Sequence, residues 1–260
     1  MKKSFILKLK FKHIYKSFSF LLFFVSFLLI VSCKKEKVNY IPSENNIPMD
    51  TVADQKTLDK NNITYLALGD SYTIGAFVDS ADRFPVQLAG MLRRDSISIA
   101  DPTIIATSGW TTGNLLNSLS SAPPKTNYSF ITLLIGVNNQ YQGRSLDEYK
   151  TQFTELLTMA ISYASGIKNH VFVLSIPDYS VTPFASGSDT QKIAFEIDQF
   201  NAANKNISSN FGVHYLDVTT ISREAKDDPS LIAVDGLHPS AKQYNEWDQL
   251  LASLMVKEIQ

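Results

Sequence analysis

A serine hydroxyl attacks an acyl carbon well only when a neutral imidazole takes its proton, and the imidazole works best when a carboxylate orients it. Two stretches of this chain are suited to that division of labour. The first is Ile63-Thr-Tyr-Leu-Ala-Leu-Gly-Asp-Ser71, where an apolar run stops at a glycine, an acid and a hydroxyl. The second is Asp235-Gly-Leu-His238, whose three-residue step lets the carboxylate hold one ring nitrogen while the other faces outward. Taken alone, Gly69-Asp-Ser71 could equally be a turn or a helix N-cap, since both use Asp and Ser. The other histidines fit the role less well. His13 lies in the basic N-terminal segment, and His170 and His214 border or sit in strand-like runs, where packed or solvated structural roles are expected.

Those residues need a scaffold, and the pattern around them supplies one. Tyr65–Leu68, 103–107, 130–135, 171–176 and 213–218 read as five short buried strands. Helical spacing separates them, in Phe84–Arg94, about 113–119, the stretch from Ser145 to near Gly166, and about 190–208. Ser145 and Glu148 have the spacing of a capping box. Ser240 is placed to cap a last helix carrying Tyr244, Trp247, Leu250, Leu251 and Leu254 on one face, and 177–188 reads as a long loop. Strands alternating with helices predict a parallel sheet covered on both sides, a three-layer α/β/α sandwich. In such a sheet clefts open beyond the carboxyl ends of the strands. The small-residue corners after strands one, two and three, at Gly69-Asp-Ser71, Ser108-Gly-Trp110 and Gly136-Val-Asn-Asn139, would therefore gather along one edge.

Together with Asp235 and His238, these corners resemble the SGNH, or GDSL-type, hydrolase family over about residues 63–258. The resemblance implies a flavodoxin-like fold with a five-stranded parallel sheet and an esterase activity. Ser71 would be the nucleophile, His238 the base and then the acid, and Asp235 the group that orients it. The oxyanion would be held by the N–H groups of Ser71 and Gly109 and by the side-chain amide of Asn138. Tyr72 stands where leucine is usual, and Asn139 where an aspartate often follows the asparagine. Neither carries the chemistry, so these departures bear on substrate more than on mechanism. Glycine corners suit the task, because donors there approach a developing oxyanion without a side chain in the way. No cofactor is implied, and the sequence has no His-rich or Cys/His spacing of the kind that holds zinc.

Trp110, Tyr141, Gln142, Tyr179 and Phe184 lie near strand ends and could line a substrate pocket or simply pack. The expected partner is a small ester: an acetylated carbohydrate, a lysophospholipid or similar. The alternatives are a lipid-anchored glycan-binding protein and a structural envelope lipoprotein, both without turnover. Neither needs the serine, asparagine and Asp-x-x-His set that is complete here. Oligomeric state is not readable from the sequence.

The N-terminus predicts a location. Six lysines and no acid within residues 1–32 precede the apolar run 17–32, which ends in Leu29-Ile-Val-Ser-Cys33 at the chain's single cysteine. The run is shorter than the ~20 residues a spanning helix needs, and its plan is that of a secretory signal. It resembles a lipoprotein lipobox, which implies a signal peptide over 1–32, a lipid on Cys33, a tether over 33–62 and a domain over 63–260. A short strand near 38–41 packing on the domain is the other reading of the tether. The cell envelope is the expected site, lipid-anchored and facing the extracytoplasmic side. The chain carries −1 overall, but without the basic segment it carries −7, which argues against nucleic acid.

Overall fold

The computed structural model describes Leu58 and residues 61–259. The predicted signal peptide, Cys33, most of the tether and the candidate strand near 38–41 lie outside the described residues. Five strands, β1 (Tyr65–Gly69), β2 (Thr103–Ala106), β3 (Phe130–Leu134), β4 (Val171–Leu174) and β5 (His214–Leu216), form one sheet in the order β2-β1-β3-β4-β5. Every pairing is parallel. All of β1 and β3 is buried, while the edge strands β2 and β5 are partly exposed. That is why the central strands read as unbroken apolar runs: helices cover both faces. The one polar pair inside them is self-sufficient, the Tyr65 and Thr132 hydroxyls meeting at 2.8 Å.

Eight α-helices, with short 3₁₀ turns between them, accompany the sheet among the described residues: α1 (Ser71–Ile74), α2 (Phe84–Arg94), α3 (Thr112–Ser121), α4 (Val137–Tyr141), α5 (Leu146–Tyr163), α6 (Thr190–Phe211), α7 (Thr219–Glu224) and α8 (Ala241–Ile259). One layer pairs α2 with α8, where Trp247 and Tyr244 pack against Phe84. The other stacks α3, α5 and α6. The chain thus has the expected α/β/α arrangement, with strand order reversing between β1 and β3.

Three local expectations change. Ser145 does cap α5, accepting from the Glu148 N–H at 3.1 Å, but the Glu148 carboxylate takes the Gln152 amide at 3.3 Å instead of closing the box. The reciprocal box belongs to Thr111 and Asn114 at the start of α3. Ser240 caps α8 through Gln243, yet Leu250 is exposed: α8 buries Tyr244, Trp247 and Leu251, and Leu250 points off that stripe. The segment 177–188 is not plain loop but carries two short 3₁₀ turns, Tyr179–Val181 and Pro183–Ala185.

Candidate active site

Each corner is built by a local rule. At the end of β1, a Cβ on Gly69 would lie 2.1 Å from the Thr73 hydroxyl and 2.4 Å from the Leu134 carbonyl, so only glycine fits. Asp70 then caps α1, accepting from the Tyr72 N–H at 3.0 Å. Cap and nucleophile candidate therefore coexist: Ser71 is the first residue of α1, and its N–H has no intrahelical acceptor. Asp70 is fully buried, and burial pushes its carboxyl up to about 7, the backbone N–H of Tyr72 pulling the other way.

After β2 the chain turns through 107–110, the Trp110 N–H donating to the Thr107 carbonyl at 3.2 Å. Gly109 stands third in that turn with φ +84°, a conformation that L side chains resist. After β3, Gly136 has φ +133°, and a Cβ there would strike the Tyr149 ring at 2.6 Å and Ile176 at 2.7 Å. Helix α4 begins here. The amide of Asn138 donates to the Trp110 carbonyl at 3.0 Å, which ties the second corner to the third. Its neighbour Asn139 faces the other way. Wholly buried, it accepts from the Thr112 N–H at 2.9 Å and donates to the Thr112 hydroxyl at 2.7 Å, clipping α4 to α3.

The fourth corner is the loop between Ile232 and Pro239, which are paired by an antiparallel bridge. One Asp235 oxygen accepts the N–H groups of Leu237 and His238, each at 3.1 Å, and the other meets the His238 Nδ1 at 2.5 Å. Partial burial opposes the charge on Asp235, but the His238 ring and those two N–H groups outweigh it and hold the carboxyl below its ordinary value. Since a carboxylate can only accept, Nδ1 carries the hydrogen, which in the neutral ring leaves the lone pair on Nε2.

Ser71, Gly109, Asn138 and His238 line one cleft of about 180 Å³, whose apolar wall includes Val137, Tyr141, Tyr179, Phe184 and Leu237. The Tyr141, Tyr179 and Phe184 rings stand 6.1–6.3 Å apart, and the Tyr179 hydroxyl donates to Gln140 at 2.9 Å. Trp110 is not among the lining residues. It is half-buried against the core and offers the cleft only its carbonyl, through Asn138. His170 packs edge-on against Phe130, and His214 stacks on Phe172 while bonding Glu258 at 2.9 Å, so both are structural. Among the described residues no group of three or more His, Cys, Asp or Glu side chains stands together as a metal site. Sequence reasoning missed two rings on His238: Tyr72 edge-on and Phe77 stacked. Residue type gives no signal for either.

A parallel sheet with a serine, two glycine corners, an asparagine and an Asp–His pair at its carboxyl edge defines a serine hydrolase acting on ester bonds. The chain belongs to the GDSL-like lipase/acylhydrolase family, whose profile matches residues 67–245. Among solved structures it is similar to TesA, at 15% identity and a TM-score of 0.59, the alignment covering 75% of this chain and 99% of that one. It is also similar to the acetylxylan esterase Axe2 from Geobacillus stearothermophilus, at 19% identity, 77% and 96% coverage and a TM-score of 0.57. A third is the psychrotrophic esterase EstA from Pseudoalteromonas sp., inhibited by monoethylphosphonate, at 18% identity, 76% and 97% coverage and a TM-score of 0.54. At these identities the likeness is one of fold. No curated protein sequence matches the chain.

Proposed function

We propose that the protein hydrolyses a small carboxylic ester through an acyl-enzyme on Ser71. The observation that carries this reading is the Asp235–His238 pair, whose ring lines the same cleft as Ser71, Gly109 and Asn138. The Ser71 Oγ attacks the carbonyl carbon while the His238 Nε2 takes its proton. The charge that builds on the carbonyl oxygen is met by the N–H groups of Ser71 and Gly109 and by the amide of Asn138. Collapse breaks the ester C–O bond, and the alcohol leaves with the proton from Nε2. Water then attacks the acyl-enzyme, giving its proton to His238, and the acid departs as the serine recovers its hydrogen. The apolar cleft wall, with no lysine or arginine among its residues, supports a neutral acyl group. Acetyl esters of carbohydrates and lysophospholipids stay the candidate substrates. Incubating the purified protein with acetylated sugars, lysophospholipids and p-nitrophenyl esters of graded length tests the reading; hydrolysis of none of them would defeat it.

The two asparagines separate chemistry from architecture. An amide nitrogen carries two hydrogens, and the Trp110 carbonyl takes one from Asn138, orienting the other for an oxyanion. Asn138→Ala is expected to lower kcat by about 10² to 10³ with KM nearly unchanged. Asn139→Ala instead breaks two buried bonds to Thr112 and should lower the melting temperature, at a cost of about 1–3 kcal/mol. Steady-state kinetics and thermal melts of both variants decide it. If Asn138→Ala melts early but turns over normally per folded molecule, the amide is architectural.

At the N-terminus we propose a signal peptide over 1–32, a lipid on Cys33, and an envelope-anchored domain from residue 63 facing the extracytoplasmic side. The support is the charge-then-apolar plan ending at the single cysteine. Among the described residues no helix is long and apolar enough to cross a membrane. Cys33→Ser should abolish incorporation of a fatty-acid analogue and detergent partitioning, whereas a mutant labelled as strongly as wild type would remove the lipobox.

A further inference from the structure

Phe77 is out of place on two counts. Its φ is +63°, where a bulky residue is a genuine outlier, and the residue is 63% exposed. It occupies the third position of a turn from Gly75 to Val78, closed by the Val78 N–H on the Gly75 carbonyl at 3.4 Å, a position that ordinarily takes glycine or asparagine. The strain is not offset by burial, since Phe77 is absent from the core and from the residues packed on it. What the ring does touch is His238, with centroids 5.6 Å apart and planes within 23° of parallel. Tyr72 approaches the same imidazole edge-on at 5.7 Å and 64°, and Asp235 holds its Nδ1. The imidazole is thus fixed by an acceptor at one nitrogen and by two rings on its sides. Strain kept at a functional site where the surroundings return nothing is a pointer to function.

We propose that Phe77 is a positioning residue for the reaction: its ring face holds the His238 imidazole in its working orientation and stabilises the imidazolium formed when Nε2 takes the Ser71 proton. The near-parallel geometry presents the negative face of the phenyl π-system to that cation, an attraction that a ground-state neutral imidazole scarcely feels. The benefit therefore falls on the transition state and on kcat. This rests on the reading of His238 as the base.

The design separates quadrupole, packing and strain. Phe77→Leu keeps an apolar side chain of similar reach without a π-face, and should lower kcat by about fivefold to thirtyfold with KM changed less than twofold. Phe77→Tyr and Phe77→Trp should restore most of the rate. Phe77→Gly relieves the backbone, so it should melt at or above the wild-type temperature while losing at least as much kcat as the leucine variant. A leucine variant with wild-type kcat, or a glycine variant that loses activity only in proportion to lost folding, overturns the proposal. His238→Ala, measured alongside, tells the two readings apart. If it retains activity, the base itself is misassigned; if it is inactive while Phe77→Leu is normal, only the role of Phe77 falls.

Discussion

Ser71→Ala should fold as the wild type does and lose turnover by about 10⁴ to 10⁶, the range for removing one member of a cooperating catalytic group. The fold should not notice the change. Ser71 contributes no capping bond of its own, because the cap of α1 is the Asp70 carboxylate on the Tyr72 N–H. Ser71 lines the cleft shared with Gly109, Asn138 and His238. A melting curve matching wild type beside a collapsed kcat is the expected pair of results. A fluorophosphonate, which esterifies an activated serine, should label the wild type stoichiometrically and the variant not at all. Labelling at another residue, or a folded Ser71→Ala protein that keeps most of its rate, would remove Ser71 from the role.

The second large effect is electronic, with almost no change of shape. Asp235→Asn keeps one oxygen to accept the N–H groups of Leu237 and His238, so the 232–239 loop should hold its form. The atom that faced Nδ1 becomes an amide nitrogen that donates. Two donors cannot share a hydrogen bond, so the ring must turn its Nδ1 lone pair toward the amide and carry its hydrogen on Nε2. An Nε2 that already bears a hydrogen cannot accept one from Ser71, and kcat should fall by about 10⁴. Asp235→Ala should lose activity similarly but also melt earlier, since both loop bonds go with the side chain. If Asp235→Asn stays within tenfold of wild type, the carboxylate does not set the tautomer and the pair is structural.

How much of this was legible in the sequence follows from distance along the chain. Gly69-Asp-Ser71 and Asp235-x-x-His238 are local constructions, in which cap, turn and Asp–His hydrogen bond close within three residues, so residue type and spacing carry a signal. The sheet was readable because β1 and β3 are buried on both faces. Helices α4 and α7, at five and six residues, are too short to show a period and were missed. The clip between Asn139 and Thr112 spans 27 residues, and nothing at either end announces it. Trp110 looked like a pocket residue by its place after a strand, yet its indole went to the core and its carbonyl to the site. Phe77 was invisible for a different reason. Its role depends on a backbone conformation that its residue type disfavours, so a propensity argument points the wrong way.

The loop that carries His238 has a further consequence, which concerns time. Chains emerge N-terminus first at about 5–20 residues per second, and folding units tend to form in that order. The serine, both glycine corners and the asparagine all lie before residue 140, whereas the imidazole arrives on a loop bridged from Ile232 to Pro239 just ahead of the last helix. In the finished fold that helix packs Tyr244 and Trp247 against Phe84, a residue laid down near the start of the domain. On the reading of His238 as the base, a growing chain therefore holds the serine and the proposed oxyanion donors before it holds either the base or Asp235, the acid that orients it. Catalytic competence should then be the last property the chain acquires, and a product that stops before residue 235 should be inert toward esters, however well its sheet forms.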